Sequence, residues 1–168
     1  MARMKKFLID MKKFIFLFLG FSSLFFSCSS DSDSQPFDST ISIDGVVFVP
    51  KQITAYPSNS SVEKSTIFVL QKNVNTPTNL DEMVFRINYP LSQSNASGTY
   101  LMTGLQGTGN YSKAENSYAF FNGSVTVEDL GNNKFNITFN NVKGTQGNGS
   151  STVITISGNI NGKFLTSN

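Results

Sequence analysis

The sequence predicts an all-β domain, either an antiparallel β-sandwich or a small β-barrel of about eight to ten strands. Apolar and polar residues alternate with a period of two over much of residues 40–168, and Gly, Asn and Ser residues separate the alternating runs. Helical periodicity is nearly absent. A domain of about 130 residues buries roughly two thirds of its unfolded surface, so it needs no disulfide. Alternation suits both architectures, so sandwich and barrel stay open.

Individual strands follow from the short apolar runs and the turn signals between them. Turns are predicted at Asp44-Gly45, Asn122-Gly123, Leu130–Asn133 and Asn161-Gly162, because Asn-Gly and Asp-Gly pairs favour tight hairpins. A short helical turn is expected only within residues 79–84. The predicted strands are Thr40–Ile43, Val46–Val49, Ser65–Gln71, Met83–Tyr89, Gly98–Met102, Tyr118–Phe121, Ser124–Glu128, Phe135–Asn140, Thr152–Ile156 and Phe164–Leu165.

The first 27 residues are predicted to be an export signal. Lys12 and Lys13 precede an uncharged apolar run, residues 14–26, which is shorter than the roughly 20 residues that a membrane-spanning helix needs. A basic segment, a short apolar run and a small residue before a cleavage site are typical of a secretory signal. Met1, Met4 and Met11 all remain candidate start residues, and the last two are each followed by two lysines.

The single cysteine, Cys28, directly follows the apolar run and precedes a Ser- and Asp-rich segment. This arrangement resembles a bacterial lipoprotein signal. The resemblance implies cleavage between Ser27 and Cys28 and acylation of Cys28. Phe25 departs from the aliphatic residue usual three places before the cysteine. Two or three acyl chains would anchor the protein stably to a membrane without a spanning helix.

Residues 28–39 are predicted to be the lipidated cysteine and a flexible tether, because small polar and acidic residues bury too little apolar surface to fold. Residues 40–168 form the single folded domain. The acidic tether resembles the export signals of surface lipoproteins of Bacteroidota, which implies an outer-membrane location, with the periplasmic and the cell-surface side both open. Residues 38–40 resemble the O-glycosylation motif of that phylum, with Ser39 as candidate acceptor.

The order of motifs in residues 40–168 resembles small β-rich lipoproteins of Bacteroidota. The matching segments are I-D-G-x-x-F from Ile43, G-T-Y from Gly98, G-S-V-T-V from Gly123, K-F-N-I-T-F from Lys134 and I-S-G-N-I-N-G-K-F from Ile156. The resemblance implies an all-β domain after a lipoprotein signal. It carries over no catalytic residues.

Composition argues against most catalytic and nucleic-acid-binding functions. The chain has no His, which removes the commonest general base and metal ligand. From Cys28 onward there are eight basic and ten acidic residues, so no basic surface for nucleic acid is expected. We therefore predict no enzyme activity, no catalytic residues, no metal and no cofactor.

Three local patterns resemble functional sites, but none has the sequence context that such a site needs. Asp81 and Glu128 could act as a carboxylate pair only if the fold brought them together. Ser61 and Lys64 match S-x-x-K inside a polar loop. Residues 104–109 are Gly-rich but lack the spacing and context of a phosphate-binding loop, and are expected to form a flexible loop.

The leading hypothesis is a lipid-anchored envelope protein that acts as a non-enzymatic binding or interaction module. Its expected partners are the membrane, through the acyl chains, and an envelope protein or a glycan. The alternatives are a calycin-like carrier of a small apolar ligand and a carbohydrate-binding module. Among the aromatic residues, Tyr111 is expected to be the most exposed, because it lies in a Gly- and Asn-rich segment, and it is the candidate ligand contact.

Overall fold

A computed structural model describes residues 37–73, 80–147 and 152–166, and it confirms the predicted all-β fold. Within these ranges the chain forms twelve strands and no helix. The strands are β1 Phe37–Ser39, β2 Ser42–Ile43, β3 Val46–Val47, β4 Gln52–Asn59, β5 Glu63–Gln71, β6 Asp81–Pro90, β7 Gly98–Leu101, β8 Gly107–Lys113, β9 Asn116–Asp129, β10 Lys134–Thr145, β11 Val153–Lys163 and β12 Leu165–Thr166.

All twelve strands belong to one strongly curled mixed sheet, a half-barrel. The order is β12-β4-β5-β6-β8-β9-β10-β11-β2-β3, with β7 paired to β9 and β1 paired to β11. Every pairing is antiparallel except β12 with β4. Only Phe164 separates β11 from β12, so the chain passes directly from one part of the sheet to its distant β4 edge. This connection requires the sheet to curl.

Phenylalanine side chains fill the inside of the curl. Phe68 on β5 packs edge-to-face on Phe135 of β10, with 5.2 Å between ring centroids, and on Phe164 at 5.6 Å. Phe85 on β6 contacts Phe139 of β10 at 5.2 Å. These contacts join strands that are not neighbours in the sheet. The alternating inward positions predicted from sequence therefore form one packed core.

Besides β1, the strands β4 and β8 lie where no strand was predicted. β4 contains Pro57, and β8 is rich in glycine, so neither has a strong local strand signal. β8 forms because it pairs with β6 over its whole length and with β9 over its second half. A Cβ at Gly109 would lie 2.7 Å from both Phe120 and Phe85, so a glycine is needed for this strand to pack. Residues 107–109 are therefore strand, and not the flexible loop expected.

The turn at Asp44-Gly45 is confirmed, and both residues have the positive φ of a tight hairpin. The turn at residues 130–133 is also confirmed. The turn predicted at Asn122-Gly123 is wrong, because β9 continues through it. Gly123 lies at an irregularity in the β9–β10 register, with φ of 88°, and a Cβ there would lie 2.6 Å from the Val142 Cα.

The turn predicted at Asn161-Gly162 is wrong for a similar reason. Both residues lie inside β11 and pair with β10 on one side and β1 on the other. The two flanking strands thus keep this segment extended, although its local preference is a turn.

Two boundary predictions also need correction. The prediction of a helical turn in residues 79–84 is wrong over the described part. β6 begins at Asp81, and burial along it alternates, so that Met83 points into the core. The flexible tether was predicted to reach residue 39, yet β1 pairs with residues Ile160–Gly162 of β11. The folded domain thus includes residues 37–39, whereas residues 28–36 lie outside the described ranges.

Candidate functional site

An open cleft of about 390 Å³ lies at one end of the half-barrel. Five parts of the chain line it: the β2–β3 hairpin, the residue after β5, the start of β6, the β8–β9 hairpin and the start of β11. These elements are far apart in sequence and are brought together only by the sheet pairing. We call this site the Asp81 cleft, after the buried carboxylate in its lining.

One wall of the Asp81 cleft is apolar. Val46 and Val47 of β3 are 68% and 61% exposed, although they lie next to the buried Phe48. Ile43 and Ile154 extend the same apolar lining. The tight Asp44-Gly45 turn holds β3 against β2 and so presents the valines to solvent. A ligand covering this wall would remove exposed apolar surface from water.

The other wall is polar, and cross-strand register explains its composition. Asp81 on β6 is opposite Lys113 on β8, and Lys113 is opposite Asn116 on β9. Directly opposed residues point to the same face of a sheet. Lys72, just after β5, completes this wall of the cleft. The cleft is therefore amphipathic, with one apolar wall and one that carries charge.

Of the charged side chains in the described ranges, only Asp81 is buried. Its Oδ1 accepts a hydrogen bond of 2.8 Å from the Tyr111 hydroxyl, and its Oδ2 lies 3.6 Å from the Lys72 Nζ. Burial, and secondly the hydrogen bond to Asp81, raises the pKa of Tyr111 well above its usual range. Tyr111 therefore keeps its proton and is the donor of the hydrogen bond to Asp81.

Aromatic rings form the floor of the cleft. Tyr111 meets Phe48 edge-to-face with 5.9 Å between centroids, and it stacks on Tyr118 at 6.3 Å. The expectation that Tyr111 is exposed is wrong, because it is only 5% exposed on β8. Its Gly- and Asn-rich segment is a strand in the middle of the sheet. Tyr111 nevertheless lines the cleft, so its role as a ligand contact stays a prediction.

Sequence reasoning considered Asp81 only as half of a carboxylate pair and missed its burial. A signal was present: Asp81 precedes Met83, Phe85 and Ile87 at intervals of two, which puts it on the core face of one strand. Its neighbour Glu82 points to the other face, where it accepts a hydrogen bond from Gln71, as the alternation predicts.

A second cavity, of about 270 Å³, is lined in part by Asp129, Asn132, Asn133 and Thr166. Here Asp129 bonds to the backbone. Its Oδ2 accepts from the Ala96 amide at 3.3 Å and its Oδ1 from the Gly131 amide at 3.0 Å. These bonds fasten the β6–β7 loop to the β9–β10 turn. We call this region the Asp129 end.

The other candidate residues do not assemble into catalytic groups. Glu128 bonds to Asn136 at the end of β9 that is remote from Asn116, so it does not meet Asp81. Lys64 donates to the Gln93 carbonyl at 2.8 Å, and Ser61 is exposed. Within the described ranges, no group of three or more Cys, Asp or Glu side chains could hold a metal ion.

Of the predicted modification sites, Ser39 lies within the described residues and Cys28 does not. Ser39 is half-buried, and its hydroxyl donates to the Phe48 carbonyl at 3.2 Å, so a glycan there would have to displace this bond. Its glycosylation stays a prediction. Cys28 and the cleavage site after Ser27 lie outside the described residues. In the part of the chain that is described, no helix is long and apolar enough to span a membrane.

Comparison of the chain with protein-family models, with curated proteins and with solved structures finds no match. The function is therefore inferred from the chemistry of the Asp81 cleft and from the sequence of the first 39 residues.

Proposed function

We propose that this protein is a lipid-anchored lipoprotein of the bacterial outer membrane that acts as a non-enzymatic binding module, with the Asp81 cleft as its ligand site. The observation that carries the proposal is the cleft itself. It combines exposed valines, aromatic rings and the one buried charge of the described residues in a single open site. Mostly apolar concavities with a few converging polar groups are the usual form of ligand sites.

The packed interior favours an open surface cleft over the alternative of an enclosed apolar carrier pocket. Phe68, Phe85, Phe139 and Phe164 are all fully buried inside the curl, where a carrier would hold its ligand. The cleft lies at the end of this core, and its floor is continuous with the core through Phe48 and Tyr111.

The partners of the carboxylates favour binding over catalysis. Asp81 is held by Tyr111 and Lys72. Asp44, the second carboxylate of the lining, accepts a 2.7 Å hydrogen bond from the Thr155 amide. A general acid or base must be able to reach substrate with a proton to exchange, and both carboxylates are already occupied by protein donors.

The anchoring part of the proposal depends on Cys28. Acylation there, after cleavage of residues 1–27, would place the domain at the membrane surface on the acidic tether. Cys28→Ser should remove the acyl mass from the mature protein and release it from the membrane fraction. A membrane-bound Cys28→Ser protein without acyl mass would contradict the lipid anchor.

The binding part is tested with the full chain purified from its own host's membranes in detergent and examined by native mass spectrometry. We expect a reproducible added mass beyond the acyl chains. Val46→Asp, which puts a charge on the face of β3 that Val46 shares with Ile43, should remove it. Val62→Asp is the matched control, because Val62 is 80% exposed and lies outside the cleft lining.

An added mass that persists in Val46→Asp would show that the ligand binds elsewhere. The absence of any added mass, from the native protein and after incubation with envelope extract, would contradict a small-ligand function. A mass equal to a sugar series would identify the carbohydrate-binding alternative. Hydrolysis of envelope glycans that is lost in Asp81→Asn would contradict the non-enzymatic proposal.

A further inference from the structure

We infer that the ligand of the Asp81 cleft is a small amphipathic anion. Its apolar part contacts the apolar wall of the cleft, and its anionic group binds Lys113. This inference rests on the proposed ligand site and adds the chemical class of its ligand. Two features support the inference. The cleft has one apolar and one polar wall, and its carboxylates have protein partners whereas Lys113 forms no ion pair within the described ranges.

The charged groups of the lining are not equivalent. Asp81 is buried and paired with Lys72, and Asp44 bonds to the Thr155 amide. Lys113, by contrast, is exposed and forms no ion pair with any residue of the described ranges. A charge that enters the cleft therefore finds an available cation at Lys113, whereas both carboxylates already have partners. This favours an anion over a cation.

The geometry places Lys113 where an anion could bind while its apolar part stays on the opposite wall. Lys113 is the last residue of β8, directly opposite Asp81, and the next residue, Ala114, begins the β8–β9 turn. The exposed Val46 and Val47 belong to the other wall of the same cleft. The volume of about 390 Å³ suits a small molecule and not a folded protein partner.

The probes for the test are octanoate, an eight-carbon carboxylate, and octan-1-ol, its neutral analogue. Each is titrated into the full chain in detergent micelles below the concentration at which the probe itself aggregates. Binding is followed by the shifts of amide NMR signals of β3 and the β8–β9 turn. Micelles without protein correct for partitioning of the probes into detergent.

We expect octanoate to bind more tightly than octan-1-ol, with an affinity that falls as salt is raised. Lys113→Gln should weaken octanoate binding about three- to fivefold, because a partly exposed ion pair contributes that much to affinity. The affinity for octan-1-ol should not change. Lys163→Gln is the matched control, because Lys163 is an exposed lysine at the end of β11 that does not line the cleft.

The outcomes separate this inference from the proposed function. Equal binding of both probes, unaffected by Lys113→Gln, would overturn the anionic ligand and leave the cleft as the binding site. Tighter binding of octan-1-ol than of octanoate would do the same. Binding of neither probe would overturn the amphipathic anion, while the added mass in the Val46→Asp experiment would still decide whether the cleft binds a ligand.

Discussion

Two aspartates, at opposite ends of the half-barrel, differ in what holds them. Asp129 accepts hydrogen bonds from the backbone amides of Ala96 and Gly131, and so joins a loop to a turn. Asp81 is bonded by two side chains, Tyr111 and Lys72, beside an open cleft. Backbone donors are fixed by the fold, whereas side chains can move when a ligand arrives. Asp129 therefore has a structural role, and Asp81 belongs to the candidate site.

The largest effect that tests this comparison is expected at the Asp129 end. Asp129→Ala removes two hydrogen bonds to backbone amides, each worth about 0.5–1.5 kcal/mol net, so the unfolding free energy should fall by about 1–3 kcal/mol. Urea unfolding followed by circular dichroism measures the loss. Ligand binding to the Asp81 cleft should not change. A variant as stable as the wild type would contradict the structural role of Asp129.

A smaller stability effect, with a distinct pH dependence, is expected in the cleft. Tyr111→Phe removes the hydrogen bond to Asp81 and should cost about 1 kcal/mol at pH 8, because water in the open cleft can replace part of it. Burial and the bond to Asp81 raise the Tyr111 pKa in the folded state above its unfolded value of about 10. The neutral hydroxyl is thus favoured by folding.

The sign of the pH effect follows from linkage. The contribution of Tyr111 to stability is complete below pH about 10 and is lost as the pH rises through the folded pKa. Tyr111→Phe lacks this dependence, so the stability difference between wild type and variant should shrink above pH about 10. Urea unfolding of both proteins from pH 8 to 11 measures it. A constant difference over that range would contradict the raised pKa of Tyr111 in the folded protein.

The smallest stability effect is expected for Asp81→Asn. The amide keeps the shape and can still accept from Tyr111, and it loses only the 3.6 Å pairing to the partly exposed Lys72. We expect a change below about 1 kcal/mol in unfolding free energy. Binding should respond instead, because removal of this negative charge should strengthen octanoate binding. Asp129→Asn is the matched control and should leave octanoate affinity unchanged.

The inward positions of the core could be predicted because they depend only on local alternation. Met83, Phe85 and Ile87 recur at intervals of two, and all three are fully buried. The Asp44-Gly45 turn was equally predictable, since both residues have the positive φ of a tight hairpin and neither is paired residue by residue with another strand. The same alternation, continued two residues back from Met83, predicts that Asp81 also lies on the core face.

β8 and the two Asn-Gly pairs could not be predicted by local rules. The strand β8 has three inward or half-buried positions occupied by glycine or asparagine, and it is extended because β6 and β9 pair with it. Asn161-Gly162 has a local preference for a turn, yet strands on both sides keep it extended. In each case hydrogen bonds to residues distant in sequence outweigh a local preference.

The sequence by itself determined the all-β class and most of the core-facing residues, because period-two alternation and turn chemistry act within a few residues. It also predicts the lipoprotein signal. Only the tertiary structure decided that Tyr111 is buried and that Asp81, Lys113 and the valines of β3 share one cleft. Those residues come together because register and curl align strands from distant parts of the chain, and local periodicity carries no information about such alignment.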